Sequence, residues 1–97
     1  MGSHEQTTLA EYCQTHHIRR LALFGSTARG TNRPDSDVDL LVEFEAGEEP
    51  GLIALSAMEL ELSVFFDNRK VDLRTPADLS PHFREDVQRT ALLRYAA

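Results

Sequence analysis

The sequence predicts one small α/β (α+β) domain, a mixed sheet flanked by helices, with its elements in the order α-β-α-β-α-β-α. Three observations predict it. The 97 residues are 41% apolar and 27% charged, the composition of a single globular unit rather than a disordered chain. The apolar residues alternate between helix and strand periodicity along the length. The breaks between those stretches carry Gly, Pro and Asp-Asn, which punctuate chains.

Each element follows from a local pattern. Leu9, Tyr12 and Cys13 fall at i, i+3 and i+4, so Thr7 to His16 reads as a short helix with a polar opposite face. Arg19 to Phe24 is a strand, apolar without interruption from Leu21 and stopped by Gly25. The run Gly25-Ser26-Thr27-Ala28-Arg29-Gly30 starts a short helix, and Thr31 to Ser36 is a polar loop holding Pro34. Asp37 to Phe44 alternates, with Val38, Leu40, Val42 and Phe44 on one face and Asp37, Asp39, Leu41 and Glu43 on the other. After an acidic loop from Glu45 to Gly51, Leu52, Leu55, Leu62, Phe65 and Phe66 keep helical spacing, so Leu52 to Phe66 is a helix lying on the sheet. Asp67-Asn68-Arg69 is a turn and Lys70 to Arg74 a strand, broken by Pro76. Ser80 and Pro81 are the N-cap and first position of a last helix, in which Phe83, Val87, Ala91 and Tyr95 recur at i+4. The strands on either side of the Leu52 helix are expected to be parallel.

Composition also excludes. Ten Lys and Arg against sixteen Asp and Glu give a net charge of −6, which argues against direct binding of bulk nucleic acid through phosphates. The lone Cys13 excludes an internal disulfide framework and a cysteine zinc cluster. No apolar run approaches the ~20 residues that span a bilayer, and no signal-peptide pattern opens the chain, so a cytoplasmic protein is expected. Residues 1–97 read as one domain without internal repeat or linker. Met1-Gly2-Ser3-His4 has the form of an expression-tag remnant and is kept out of the functional reading.

The chemistry concentrates in two places. Asp37 and Asp39 sit two apart on a strand and project from one face, roughly 7 Å apart. Two like charges at that range cost on the order of 2 kcal/mol at an effective dielectric of 20, so a cation is expected to compensate them. Paired hard oxygen ligands suit Mg²⁺ with substrate phosphates; an aspartate-rich turn leading into an exposed strand face is the plainer alternative. Gly25-Ser26 ends the preceding strand at a helix start, where free N–H groups and the dipole attract phosphate. A ten-residue connection, Thr27 to Ser36, returns the chain antiparallel and brings this turn beside the two acids. Asp72, set between Val71 and Leu73, is a third carboxylate for the same centre, or else the partner of Lys70 or Arg74. Three acids on adjoining strands beside a phosphate-binding turn describe metal-dependent phosphoryl or nucleotidyl transfer.

An apolar strand, Gly-Ser, a spacer, Asp-x-Asp and a later acid together resemble the polymerase-beta-like nucleotidyltransferase superfamily. Within it, the short chain and the Gly25-to-Gly30 run resemble the minimal nucleotidyltransferases of bacteria and archaea. The resemblance covers Leu21 to Leu73, and the flanking helices match in order only. It implies a palm-like core and transfer of a nucleoside monophosphate, most often AMP from ATP, with pyrophosphate leaving. By position, Gly25 and Ser26 would hold the triphosphate. Asp37 and Asp39 would ligate one or two Mg²⁺, and Asp72 would complete the metal site and help deprotonate the acceptor hydroxyl. For Arg29 a contact to phosphate or partner and a structural ion pair both stand.

The resemblance further implies an antitoxin that adenylylates a tyrosine on a helical HEPN-type toxin, in a hetero-oligomeric complex. Two other readings are an antitoxin that binds stoichiometrically without catalysis, and the catalytic subunit of a small-molecule nucleotidyltransferase. The latter expects a substrate-binding domain from a separate chain, since residues 1–97 read as one domain. Elsewhere the plain readings lead. His16 and His17 end the first helix, where cations meet its dipole favourably. Glu43 is a solvent-facing acid rather than a ligand, Phe65 and Phe66 are core, and Arg84, Arg89 and Arg94 form a charged helix face.

Overall fold

The structure is a computed structural model that describes residues 8–25 and 37–97. Helix α1 (Leu9–Thr15) starts at Thr8, whose hydroxyl accepts from the Glu11 N–H while the Glu11 carboxylate accepts from the Thr8 N–H. This reciprocal box satisfies two donors that a helix start would otherwise leave unpaired. His16 caps the other end, and His17, at φ 59°, swings the chain into β1 (Ile18–Leu23). Strand β2 (Val38–Phe44) is followed by α2 (Leu52–Leu62), which tightens into a 3₁₀ turn over Ser63–Phe66. Asp67 and Asn68, both at φ 60°, end that turn in the left-handed conformation that Asp and Asn tolerate best among residues with a side chain. Then come β3 (Val71–Arg74), a short 3₁₀ turn at Pro76–Asp78, α3 (Pro81–Thr90) and β4 (Leu92–Ala96).

The strands form a mixed sheet in the order β3-β2-β1-β4. β1 runs antiparallel to β2 and β4, and β2 parallel to β3, as the intervening helix requires. Alternation sorts the side chains onto two faces. Ile18, Leu21, Leu23, Val38, Leu40, Val42, Val71 and Leu73 build the main core with Tyr12 and Cys13 of α1 and Met58 and Leu62 of α2. On the other face Phe24 and Leu41 meet Leu79 and Val87, so α3 covers only part of it. The uncovered part carries the acids.

The C-terminal element departs from expectation. The i+4 recurrence of Phe83, Val87, Ala91 and Tyr95 predicts a helix to the end, yet it stops at Thr90 and Ala91 turns extended at ψ 147°. Leu92–Ala96 instead pairs with the free edge of β1, and the Ala97 N–H donates to the Arg19 carbonyl at 2.9 Å. An unpaired strand edge offers a row of backbone partners, and the tail fits a period of two as well as one of 3.6. Tyr95 reaches the main core from the strand. Arg84 is not simply part of a charged face: its guanidinium donates to the Pro76 and Leu79 carbonyls at 2.7 and 3.1 Å, fixing the turn before α3. Arg94 lies on β4, away from the helix that was expected to carry it.

Candidate active site

The start of β2 is clamped between two neighbours. The Phe24 N–H, just past the end of β1, donates to the Asp39 carbonyl at 3.0 Å, and the Val38 N–H donates to the Lys70 carbonyl at 2.8 Å. Val38 and Leu40 point into the main core, so Asp39 between them points to the other face. Val71 and Leu73 do the same in β3, and Asp72 therefore shares the face of Asp39. The parallel register sets Asp39 directly opposite Asp72, with Val38 opposite Val71 and Leu40 opposite Leu73. Asp37 stands immediately before β2 and is exposed. The structure thus brings the third acid to the first two through register, as expected.

Gly25 is the other fixed point. Its φ is +64°, a conformation in which a side chain is strained. A Cβ built there would lie 3.1 Å from Asp39 Oδ2. Only a residue without a side chain lets the backbone come this close to the carboxylate. Gly25 and Asp39 adjoin, as the sequence expectation required of the start of the turn. Ser26 and Arg29, the other residues expected at the phosphate cradle, lie outside the described residues, as does the loop up to Ser36.

Burial and neighbouring acids set the electrostatics at Asp39. The Asp39 carboxyl is held above the usual aspartate range, first by burial and then by the charges of Asp72 and Asp37, with Arg74 pulling the other way. Arg74 Nη2 lies 3.3 Å from Asp72 Oδ2, and Lys70 Nζ 3.9 Å from Asp37 Oδ2. Of the two partners read from sequence for Asp72, Arg74 takes the place and Lys70 turns to Asp37 instead, and Asp39 is still unfavourable as an anion. Among the described residues no three Asp, Glu, His or Cys side chains close into a ready-made metal cage. The donor set nonetheless suits Mg²⁺, which takes one or two carboxylates and completes its octahedron with water and substrate phosphates.

Other candidates fall outside this group. Glu43 pairs with Arg19 at 2.9 Å towards the far end of β2. His16 stacks on Tyr12 with ring centroids 4.2 Å apart, and His17 faces Glu48 at 3.8 Å. Phe65 and Phe66 pack against the main core. A cavity of about 600 Å³ opens at this end of the sheet, but on the core face, lined by Leu23, Val38, Phe65, Phe66, Asp67 and Arg69 among others and by none of Asp37, Asp39 and Asp72. One residue was missed: Glu59 of α2 accepts the Leu73 N–H at 2.8 Å and so closes the outer edge of β3. Its signal was an acid, one of two with Glu61, inside a largely apolar helical run. Cys13 is fully buried, and burial pushes its thiol up to about 11, which removes it from nucleophilic chemistry.

Comparison with known proteins bears on this geometry. The nucleotidyltransferase domain family matches residues 7–93. The protein adenylyltransferase MntA of Thermococcus cleftensis is 38% identical over 72 residues, covering 74% of this chain and 70% of that protein. A solved structure assigned as a minimal nucleotidyltransferase superposes with a TM-score of 0.69 at 40% identity, covering 84% of this chain and 80% of the other. A toxin–antitoxin crystal structure with AMP-PNP has the same fold, with a TM-score of 0.69 at 22% identity, covering 88% of this chain and 68% of the other.

Proposed function

Because the chain belongs to the nucleotidyltransferase domain family, we propose that it transfers AMP from ATP to a hydroxyl, that of a tyrosine, on a HEPN-type toxin and thereby silences it. One observation carries the reading: Asp39 is locked in register against Asp72 while the Gly25 backbone approaches its carboxylate. The protein-directed activity is supported by the relative from Thermococcus cleftensis, which bears the name of a protein adenylyltransferase. The toxin partner and the ATP donor are supported by the toxin–antitoxin structure of the same fold with AMP-PNP.

In this reaction the acceptor oxygen bonds to the α-phosphorus of ATP, the bond from that phosphorus to the α,β-bridging oxygen breaks, and pyrophosphate leaves. Gly25, with Ser26, provides the backbone against which the triphosphate lies, and Asp72 takes the proton of the acceptor hydroxyl. Asp37, Asp39 and Asp72 are the residues that would hold Mg²⁺, which when bound supplies charge neutralisation at the phosphates. The raised Asp39 carboxyl, set by burial beside two further acids, is the kind of perturbation that marks a functional site.

The test is direct. The protein encoded by the neighbouring gene is incubated with this chain, Mg²⁺ and each nucleoside triphosphate in turn, and weighed by intact mass spectrometry. The expected result is a gain of one adenylyl group or a small multiple, from ATP alone, and none with Asp37→Ala/Asp39→Ala. No gain in mass while the double variant still silences the neighbour would replace the enzyme with a stoichiometric binder.

A further inference from the structure

Helix α2 is apolar on more than one side. Met58 and Leu62 face the main core, and Leu55 packs against it. The opposite side carries Ile53, Ala57, Leu60 and Val64, spaced i, i+4, i+7 and i+11, which is a continuous stripe along the helix and its 3₁₀ extension. Ile53 is 89% exposed, Leu60 77% and Val64 67%, and Leu52 beside them is 83% exposed. A helix that is apolar all round belongs in an interior, and a contiguous exposed stripe of large aliphatic residues marks a surface that a partner covers.

The charge around the stripe selects the partner. From Glu45 to Asn68 the chain has five glutamates and one aspartate and not one Lys, Arg or His; Glu59 turns to the Leu73 N–H and Glu61 to the Tyr12 hydroxyl, so the rim is made by Glu45, Glu48 and Glu49 before α2 and Asp67 after it. A second copy would lay this acidic rim against itself in a chain that already carries a net charge of −6. A protein surface with an apolar ridge flanked by Lys and Arg meets it with opposite charge. The stripe faces away from the sheet, on the opposite side of it from Asp39 and Asp72, but it extends to the end of the sheet where they lie. Because α2 links two parallel strands it runs back along them, so its C-terminal end, with Leu60 and Val64, lies at the end of the sheet where β2 and β3 begin. From Val64 the chain needs only the turn at Asp67 and Asn68 to reach Lys70, whose ammonium meets Asp37.

We propose that the exposed stripe Ile53–Ala57–Leu60–Val64 with its acidic rim is the docking surface for the acceptor protein, which presents to it an apolar helix face edged with basic residues. This rests on the adenylylation reading in taking the acceptor as the occupant. Docking there anchors the acceptor on the other side of the sheet from Asp39 and Asp72, so its hydroxyl reaches them round the end of the sheet at which β2 and β3 begin, and binding energy gained away from the reacting atoms is spent on positioning.

The test measures binding separately from transfer. The neighbouring gene's protein is titrated calorimetrically into the parent chain, Leu60→Lys, Ile53→Lys and Asp37→Ala/Asp39→Ala, at low and raised salt, with sedimentation of each chain alone. Both lysine substitutions fall on exposed positions, so their melting temperatures should match the parent. The expected result is binding weakened about 30-fold or more by either lysine, as for an interface hot spot, undiminished in the aspartate double variant, and weaker at raised salt. Equal affinity of the lysine variants and the parent overturns the docking surface, as does no binding by the parent. A parent dimer that Leu60→Lys makes monomeric assigns the stripe to a second copy and also overturns it. Failure of the adenylylation reading looks different: the lysine variants lose binding, but no adenylyl group is ever gained.

Discussion

Asp39 should weaken the fold it serves. Adjacent strands lie about 5 Å apart, and at that distance two carboxylates repel by about 3 kcal/mol at an effective dielectric near 20 and by under 1 kcal/mol in bulk water. Asp72 keeps 34% of its side-chain surface exposed, so the value lies between those limits, and Arg74 offsets part of it. The net direction is known, since burial and the two acids outweigh Arg74 and hold the Asp39 carboxyl above its usual range. Asp39→Asn, measured without divalent cations, should therefore stabilise the chain by about 1 kcal/mol, a rise of roughly 4–8 °C in melting temperature for a domain this size, while abolishing transfer. The pH dependence has a definite sign. With its folded pKa above the unfolded one, Asp39 retains a proton in the native state that the unfolded chain has already released. Stability from this group is lost as pH rises from about 3.9, the ordinary Asp value, through the raised native one. Melting curves followed by circular dichroism across that window should show the parent falling relative to Asp39→Asn, with the gap closing in high salt. A variant that melts at or below the parent, with an unchanged pH slope, would refute the argument that charge at Asp39 is a cost to the fold.

Other consequences are open to measurement. Gly25→Ala places a Cβ 3.1 Å from Asp39 Oδ2 at φ +64°; it should cost about 1–2 kcal/mol of stability from the left-handed strain alone and lower the transfer rate by displacing the carboxylate, as read by chemical denaturation and product mass. Arg74→Ala removes a charge that lowers Asp39, so carboxyl chemical shifts should report Asp39 titrating at higher pH than in the parent. Mg²⁺ with a non-hydrolysable ATP analogue should raise the melting temperature of the parent but not of Asp37→Ala/Asp39→Ala, because only a ligand that binds the native state stabilises it. Cys13, fully buried and with its thiol raised to about 11, should react with a thiol reagent only as fast as the chain opens.

The sequence makes the site legible because its key features are local. Asp37, Asp39 and Gly25 each announce themselves within a few residues: two acids where a strand should be apolar or neutral, and a glycine where an apolar run stops. Asp72 is less direct, since its place depends on the parallel register of β3 against β2, which follows once the connection between them is read as a helix. What local patterns miss is decided by pairing across the sheet. Leu92–Ala96 satisfies two periodicities equally, and only the open edge of β1 chooses between them. Leu52 keeps helical spacing with the core residues but sits at the first turn of α2, beyond the reach of the sheet, and is left exposed, while Met58 takes a core place that the spacing of leucines and phenylalanines did not mark. The electrostatic state of Asp39 is likewise invisible in sequence, because it depends on how deeply the fold buries it and on how close Asp72, Asp37 and Arg74 come.

These two kinds of information meet at β2. Its buried residues, Val38, Leu40 and Val42, hold it at the centre of the sheet, between an antiparallel neighbour on one side and a parallel one on the other. A central strand cannot slide by one residue without turning its apolar set out of the core, so the same packing that stabilises the domain fixes Asp39 against Asp72 and against the backbone of Gly25. The repulsion at the acids is then a strain that the core sustains rather than one that local rearrangement can relieve. Chemistry that needs concentrated negative charge is most securely placed on the strand whose register the fold can least afford to lose.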